Sequence, residues 1–186
     1  MNKLILASNS PRRKEIFTLL GLDFSVAVSN NEPPISADLG AEKSAFLSAK
    51  AKAEDIFKNY PDATVVGADT VVAVSDKLLG KPCSEQDAVN MLKALSGKKH
   101  EVITAVYICS PVKCKGFTVK TEVEFYELSD EEIVAYVKTG EPMDKAGAYG
   151  IQGKALRFVK GISGDYYNVV GFPAAEFVRF MEREGL

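Results

Sequence analysis

Histidine occurs once among the 186 residues, as His100, and cysteine three times, as Cys83, Cys109 and Cys114, with no pair at CxxC spacing. That scarcity argues against a zinc centre and against a disulfide framework, and it predicts a reducing compartment. A surplus of positive charge is also missing. The net charge is −2, so no global field recruits nucleic acid. There is neither a basic stripe nor an interleaved aromatic platform. No apolar run approaches the ~20 residues of a membrane span, and the start, MNKLILASNS, has too short an apolar stretch for a signal peptide. These absences predict a soluble, cytoplasmic protein with no nucleic-acid or membrane partner. Any anion-binding site must be local.

Apolar residues make up 46% of the chain and charged residues 26%. This is enough for a sizeable core in one domain, or in one domain with two lobes. Residues 3–8, 23–28, 63–75, 101–109 and 117–128 read as strands. The stretch 63–75, "ATVVGADTVVAVS", is β-branched and apolar, as a central strand is. Ser10 and Pro11 open a helix bearing Ile16, Leu19 and Leu20, and Gly21 ends it. A stripe of Phe46, Ala49, Ala53, Ile56 and Phe57 marks a helix over 41–59. Further helices are predicted over 84–96, with Ser84 and Asp87 as a modified capping box, over 129–140, and over 173–184. Residues 30–40 read as a loop. Strands and helices mix without strict alternation, which predicts an α/β fold with a mixed sheet.

Three stretches carry chemistry. In "LILASNSPRR", residues 4–13, a buried strand feeds a helix through Ser8, Asn9, Ser10 and Pro11. The first helical N–H groups are unpaired there, and together with the hydroxyls they favour an anion. Arg12 and Arg13 occupy the first turn, where the helix dipole disfavours cations. Either a phosphate neutralises them or they are surface charges on a solvated turn. Asp69 interrupts an apolar strand, and an unpaired buried carboxylate is costly. Either it pairs with a Lys or Arg, or it lies at an opening and holds a metal or a water. Lys52, at the margin of an apolar helical face, either snorkels or serves a site. The same ambiguity attaches to Glu32 in its proline-rich loop and to Lys81 in the turn "LGKP". The third stretch, "TGEPMDKAGAYGIQGKA", residues 139–155, holds four glycines and is too irregular for a regular element; long loops of this kind usually bind something. Its Gln152 has both a donor and an acceptor, the equipment for reading a base edge. His100, at the start of a strand, reads as structural.

Taken together, "LILASNSPRRKEIFTLLG", "VVGADTVV", "LGKP", "AVNMLKALSGKKHEVITAV", "EPMDKAGAYGIQGKA" and "GDYYNVVGFP" resemble the Maf family of nucleotide pyrophosphatases, in the family's order and over nearly the whole chain. The resemblance implies a single domain over 1–186 with two lobes, a fold related to inosine triphosphate pyrophosphatases, and a substrate cleft between the lobes. It implies hydrolysis of a nucleoside triphosphate to the monophosphate and pyrophosphate, a house-cleaning role in the nucleotide pool, with a divalent cation, Mg²⁺ or Mn²⁺, as cofactor. By position, Asp69 matches the proposed general base, with Lys52 and Lys81 as catalytic cations. Ser8, Ser10, Arg12 and Arg13 match the phosphate-binding turn, and Asp69 and Glu32 the metal site. Arg12, Thr70 and Gln152 match the branch acting on dTTP, UTP and modified pyrimidine nucleotides. A homodimer is expected from the family. The family's association with septum formation leaves one alternative, a non-hydrolysing nucleotide-binding regulator of cell division. Two departures stand out. Asn30 and Asn31 replace the more acidic residues usual beside Glu32, which weakens or redirects the hold on a metal. "GFP" replaces "GLP", a change that a core tolerates.

Overall fold

The computed structural model describes residues 3–29, 31, 39–75 and 77–186. Among them, seven strands form one sheet in the order β2-β1-β3-β5-β6-β7, with β4 paired to β3 off that path. The strands are β1 (Leu4–Leu6), β2 (Phe24–Val26), β3 (Thr64–Val74), β4 (Lys77–Leu79), β5 (Lys99–Cys109), β6 (Cys114–Phe125) and β7 (Val159–Ser163). The helices are α1 (Pro11–Leu19), α2 (Ala41–Phe57), α3 (Glu85–Leu95), α4 (Asp130–Val137), α5 (Tyr166–Val170) and α6 (Ala174–Glu184). β1 runs parallel to both β2 and β3, whereas β3–β4 and β6–β7 are antiparallel. The sheet is mixed, as predicted. β4, β7 and α5 were not expected; each is only three to five residues long, too short for periodicity to show.

The chain divides into two compact units. The first comprises Met1–Asp69, Thr104–Val119 and Gly171–Leu186. Its core gathers around Phe17, which is fully buried and packs edge-on against Phe24 and Phe172, with Phe177 beside it. These rings set the orientation of α1. The helix buries Ile16 and Phe17 and leaves Leu19 68% exposed, so the expected face of Ile16, Leu19 and Leu20 is rotated. A phenyl ring has more apolar area to bury than a leucine side chain, and Phe17 wins the inward position. Phe172, of the "GFP" departure noted above, is a fully buried member of this cluster.

α2 buries Ser44, Ala45, Ser48, Ala49, Lys52, Ala53 and Ile56. The predicted stripe is present at Ala49, Ala53 and Ile56, but its inward face is made mostly of small residues, and Phe46 and Phe57 are only half-buried. Gly67 of β3 explains the preference. A Cβ there would stand 2.3 Å from the Ala49 carbonyl oxygen and 2.8 Å from the Ala53 nitrogen. Helix and strand touch backbone to backbone, and only small side chains fit.

The second unit comprises Thr70–Ile103 and Lys120–Val170. Its core joins Leu92 and Leu95 of α3, Ile133, Tyr136 and Val137 of α4, and Phe125, Tyr149 and Phe158. α4 opens on a capping box, with Ser129 and Glu132 bonding reciprocally. At α3, Ser84 caps the Asp87 N–H, but the Asp87 carboxylate takes the Cys83 N–H, so the modified box closes one residue earlier than predicted. His100 is buried, as a structural residue should be. Its Nε2 lies 2.8 Å from the Tyr149 hydroxyl, and its ring meets Phe125 edge-on.

Candidate active site

The parallel register Leu6↔Val66 continues through the Ala7 N–H, which donates to the Val66 carbonyl at 2.8 Å. It brings the ends of two strands together. β1 stops there and turns through Ser8 and Ser10 into α1, while β3 runs on through Gly67 to Asp69. The cationic turn and the strand carboxylate therefore both lie toward the carboxyl end of the β1–β3 pair, within the first unit. In α/β sheets this is the end where ligands bind.

The turn is knit by Arg13. Its Nη1 donates to Ser8 Oγ at 3.1 Å and its Nε to the Gly171 carbonyl at 2.9 Å. Ser8 Oγ also accepts the Ser10 N–H at 3.3 Å. With two bonds accepted, the buried Ser8 hydroxyl has, among the described residues, its proton left to give. Arg13 is thus more than a surface charge: one face of its guanidinium fixes the turn. The Ser10 side chain makes no cap bond at the start of α1, and an uncapped helix start favours an anion. Arg12 is half-buried beside it.

Asp69 pairs with Lys52 of α2, Oδ1 to Nζ, at 2.8 Å, with side-chain exposures of 17% and 8%. Of the two arrangements raised by the sequence, the pairing with a lysine is present. The geometry follows from the strand. Gly67 and Asp69 are two residues apart and face the same side of β3, the side on which α2 packs. Among the described residues, only Oδ1 of the carboxylate is engaged. Nearby in sequence, the Ser29 hydroxyl donates to Asp55 Oδ2 at 2.7 Å and accepts the Asn31 N–H at 3.0 Å. This fixes the chain just before Glu32, which itself lies outside the described residues, as does Asn30.

The remaining candidates belong to the second unit. Thr70 follows Asp69 on β3 and is half-buried; Lys81 and Gln152 are exposed. The turn carrying Lys81 is tied to the glycine-rich loop by the Gly147 N–H, which donates to the Gly80 carbonyl at 3.0 Å. That loop contains three 3-10 turns, Glu141–Asp144, Ala146–Ala148 and Lys154–Phe158. Sequence reasoning missed three contributors: Gly67, Glu141 and the Gly171 carbonyl. A glycine inside a β-branched strand was the one available signal, since it marks a close backbone approach.

The Maf-like protein family matches residues 3–184. A relative from a Geobacillus species is 49% identical, covering 100% of both chains. One from Bacillus pumilus is 47% identical over 100% of this chain and 98% of its own. One from Bacillus cereus is 48% identical over 98% of this chain and 96% of its own. Each of the three is named a dTTP/UTP pyrophosphatase. A solved nucleoside-triphosphatase / dITP/XTP pyrophosphatase from Mycobacterium abscessus is similar over 98% of this chain and 96% of its own, with a TM-score of 0.48 and 13% identity. With its motifs in order and the match spanning nearly every residue, this chain belongs to the Maf-like protein family.

Proposed function

We propose that the chain hydrolyses dTTP and UTP, and modified pyrimidine nucleotides, to the monophosphate and pyrophosphate. The observation that carries this reading is the largely shielded Lys52–Asp69 pair at the same strand ends as the Ser8–Arg13 turn. The names of full-length relatives at 49% and 47% identity support it.

A phosphoanhydride resists water because its oxygens repel nucleophiles and its leaving group is highly charged. Catalysis must align a water and offset that charge. In the proposed reaction Asp69 takes the proton of a water whose oxygen bonds to the α-phosphorus. The bond from that phosphorus to the bridging oxygen breaks, and pyrophosphate leaves. Lys52 holds Oδ1 and so fixes the carboxylate's orientation. Arg13, Lys52 and Lys81 offset phosphate charge, the Ser8 hydroxyl donates to a phosphate oxygen, and Ser10 and Arg12 complete the turn. Arg12, Thr70 and Gln152 read the pyrimidine edge.

A divalent cation, Mg²⁺ or Mn²⁺, belongs to this reading. Asp69 and Glu32 would hold it, and carboxylate oxygens without thiol or imidazole suit a hard cation. Such an ion, when bound, neutralises phosphate charge and acidifies a bound water. Among the described residues no cluster of three or more acidic, histidine or cysteine ligands gathers. A cation that keeps waters and takes phosphate oxygens needs only one or two carboxylates.

The test is direct. Purified protein with Mg²⁺ and dTTP or UTP is expected to release pyrophosphate, and faster than with purine triphosphates. Nucleotide binding without turnover would overturn the reading in favour of a regulator. A homodimer in the cytoplasm is part of the same proposal, and sedimentation of the purified protein checks the assembly.

A further inference from the structure

Gln152 stands on a turn closed by the Gly153 N–H donating to the Gly150 carbonyl at 3.0 Å. Its own side chain is exposed and takes no partner among the described residues. A long amide so placed aims only as well as the backbone beneath it. That backbone rests on Glu141. One carboxylate oxygen, Oε2, accepts the Lys154 N–H at 3.0 Å, and the other, Oε1, accepts the Tyr136 hydroxyl at 3.0 Å. Gly153 lies directly on the carboxylate, where a Cβ would stand 2.0 Å from Oε1. The other arm of the turn depends on the same residue. The Glu141 carbonyl accepts from Lys145 Nζ at 2.5 Å, and the Lys145 chain runs under Gly150, where a Cβ would stand 2.6 Å from Cε. Both ends of the four-residue turn therefore converge on Glu141.

We propose that Glu141 is a positioning residue for Gln152 and through it sets the discrimination between pyrimidine and purine triphosphates. The inference rests on the reading of Gln152 given above. Both Glu141 oxygens are committed to protein donors, so the residue acts through the turn and does not touch the substrate. Burial and the Glu141 charge hold the Tyr136 phenol far above its ordinary pKa. Its hydroxyl therefore remains a donor at every working pH.

The experiment measures kcat and KM for dTTP and dGTP in the parent and in Glu141→Ala, Glu141→Gln, Gln152→Ala and the Glu141→Ala/Gln152→Ala pair. Thermal melts of each run alongside. Glu141→Ala is expected to lower the dTTP-over-dGTP ratio of kcat/KM about tenfold, mainly through KM for dTTP. Glu141→Gln restores most of it, because the amide oxygen accepts the Lys154 N–H while the Tyr136 hydroxyl turns to accept from the amide nitrogen. The double variant matches Gln152→Ala alone, since Glu141 has nothing further to position. A full ratio in Glu141→Ala where Gln152→Ala has lost it overturns the inference and leaves the Gln152 reading standing. So do effects that multiply in the double variant. A Gln152→Ala enzyme that hydrolyses dTTP with its discrimination intact overturns both. If Glu141→Ala fails to fold, Tyr136→Phe removes one of the two bonds, and an unchanged ratio there overturns the inference.

Discussion

At Gly67 the backbone of β3 comes so near α2 that a Cβ would stand 2.3 Å from the Ala49 carbonyl oxygen. The same contact brings Lys52 within 2.8 Å of Asp69. Gly67→Ala must push helix and strand apart. Its expected cost is about 1–3 kcal/mol of stability, accompanied by a loss of turnover larger than the fraction unfolded explains. Denaturant unfolding and pyrophosphate release, measured on the same sample, check both. Parental values in both would refute the link.

The Lys52–Asp69 pair separates stability from chemistry. Asp69→Asn is expected to nearly abolish turnover while keeping the fold. Lys52→Met leaves a shielded carboxylate without its ammonium and should cost about 3–5 kcal/mol. Combining the two removes the unpaired charge, so the double variant should regain stability and stay inactive. Urea midpoints distinguish this pattern from simple additivity.

Arg13 uses two nitrogens at once, toward Ser8 and Gly171. A lysine has the charge but not the fork. For Arg13→Lys the KM for dTTP should rise about tenfold, the worth of one charge-assisted hydrogen bond, with a smaller change in kcat. An Arg13→Lys enzyme with parental KM would show that the turn needs only charge.

Burial pushes His100 down to about 4 from an ordinary 6.5, against a smaller opposing pull from the Lys98 carbonyl. Between these values the unfolded chain binds a proton that the folded chain refuses. Stability is therefore full above pH 6.5 and is lost as pH falls toward 4. The loss from this residue is about 3 kcal/mol. His100→Gln cannot ionise and should flatten that part of the curve, whatever its own baseline. Unfolding free energies measured from pH 7 to pH 4 test the slope.

Much of the candidate site was legible because it breaks local rules. A carboxylate in the apolar run of β3, and two arginines where a helix dipole repels cations, are costly anomalies, and they are written in the residues themselves. The long strands and helices were legible for a related reason, since their periodicity extends over enough residues to be read. Lys52 was ambiguous at the edge of a stripe. Only the close approach at Gly67 turns it inward. Glu141 gave no signal at all, since a glutamate in a loop looks like any other until its two oxygens meet Tyr136 and Lys154. Arg13 finds its carbonyl partner 158 residues away, a separation no local pattern spans.

The residues alone thus determined the class of fold, the positions of α2 and β3, and the two places where charge sits against its surroundings. Those properties follow from local chemistry: side-chain periodicity, capping, and the cost of burying or misplacing a charge. Tertiary structure decided which lysine meets Asp69, what Arg13 holds, and what steadies the turn beneath Gln152. Such pairings depend on distances between segments far apart in the chain. Here they were set by backbone contact at one glycine and by the register of parallel strands.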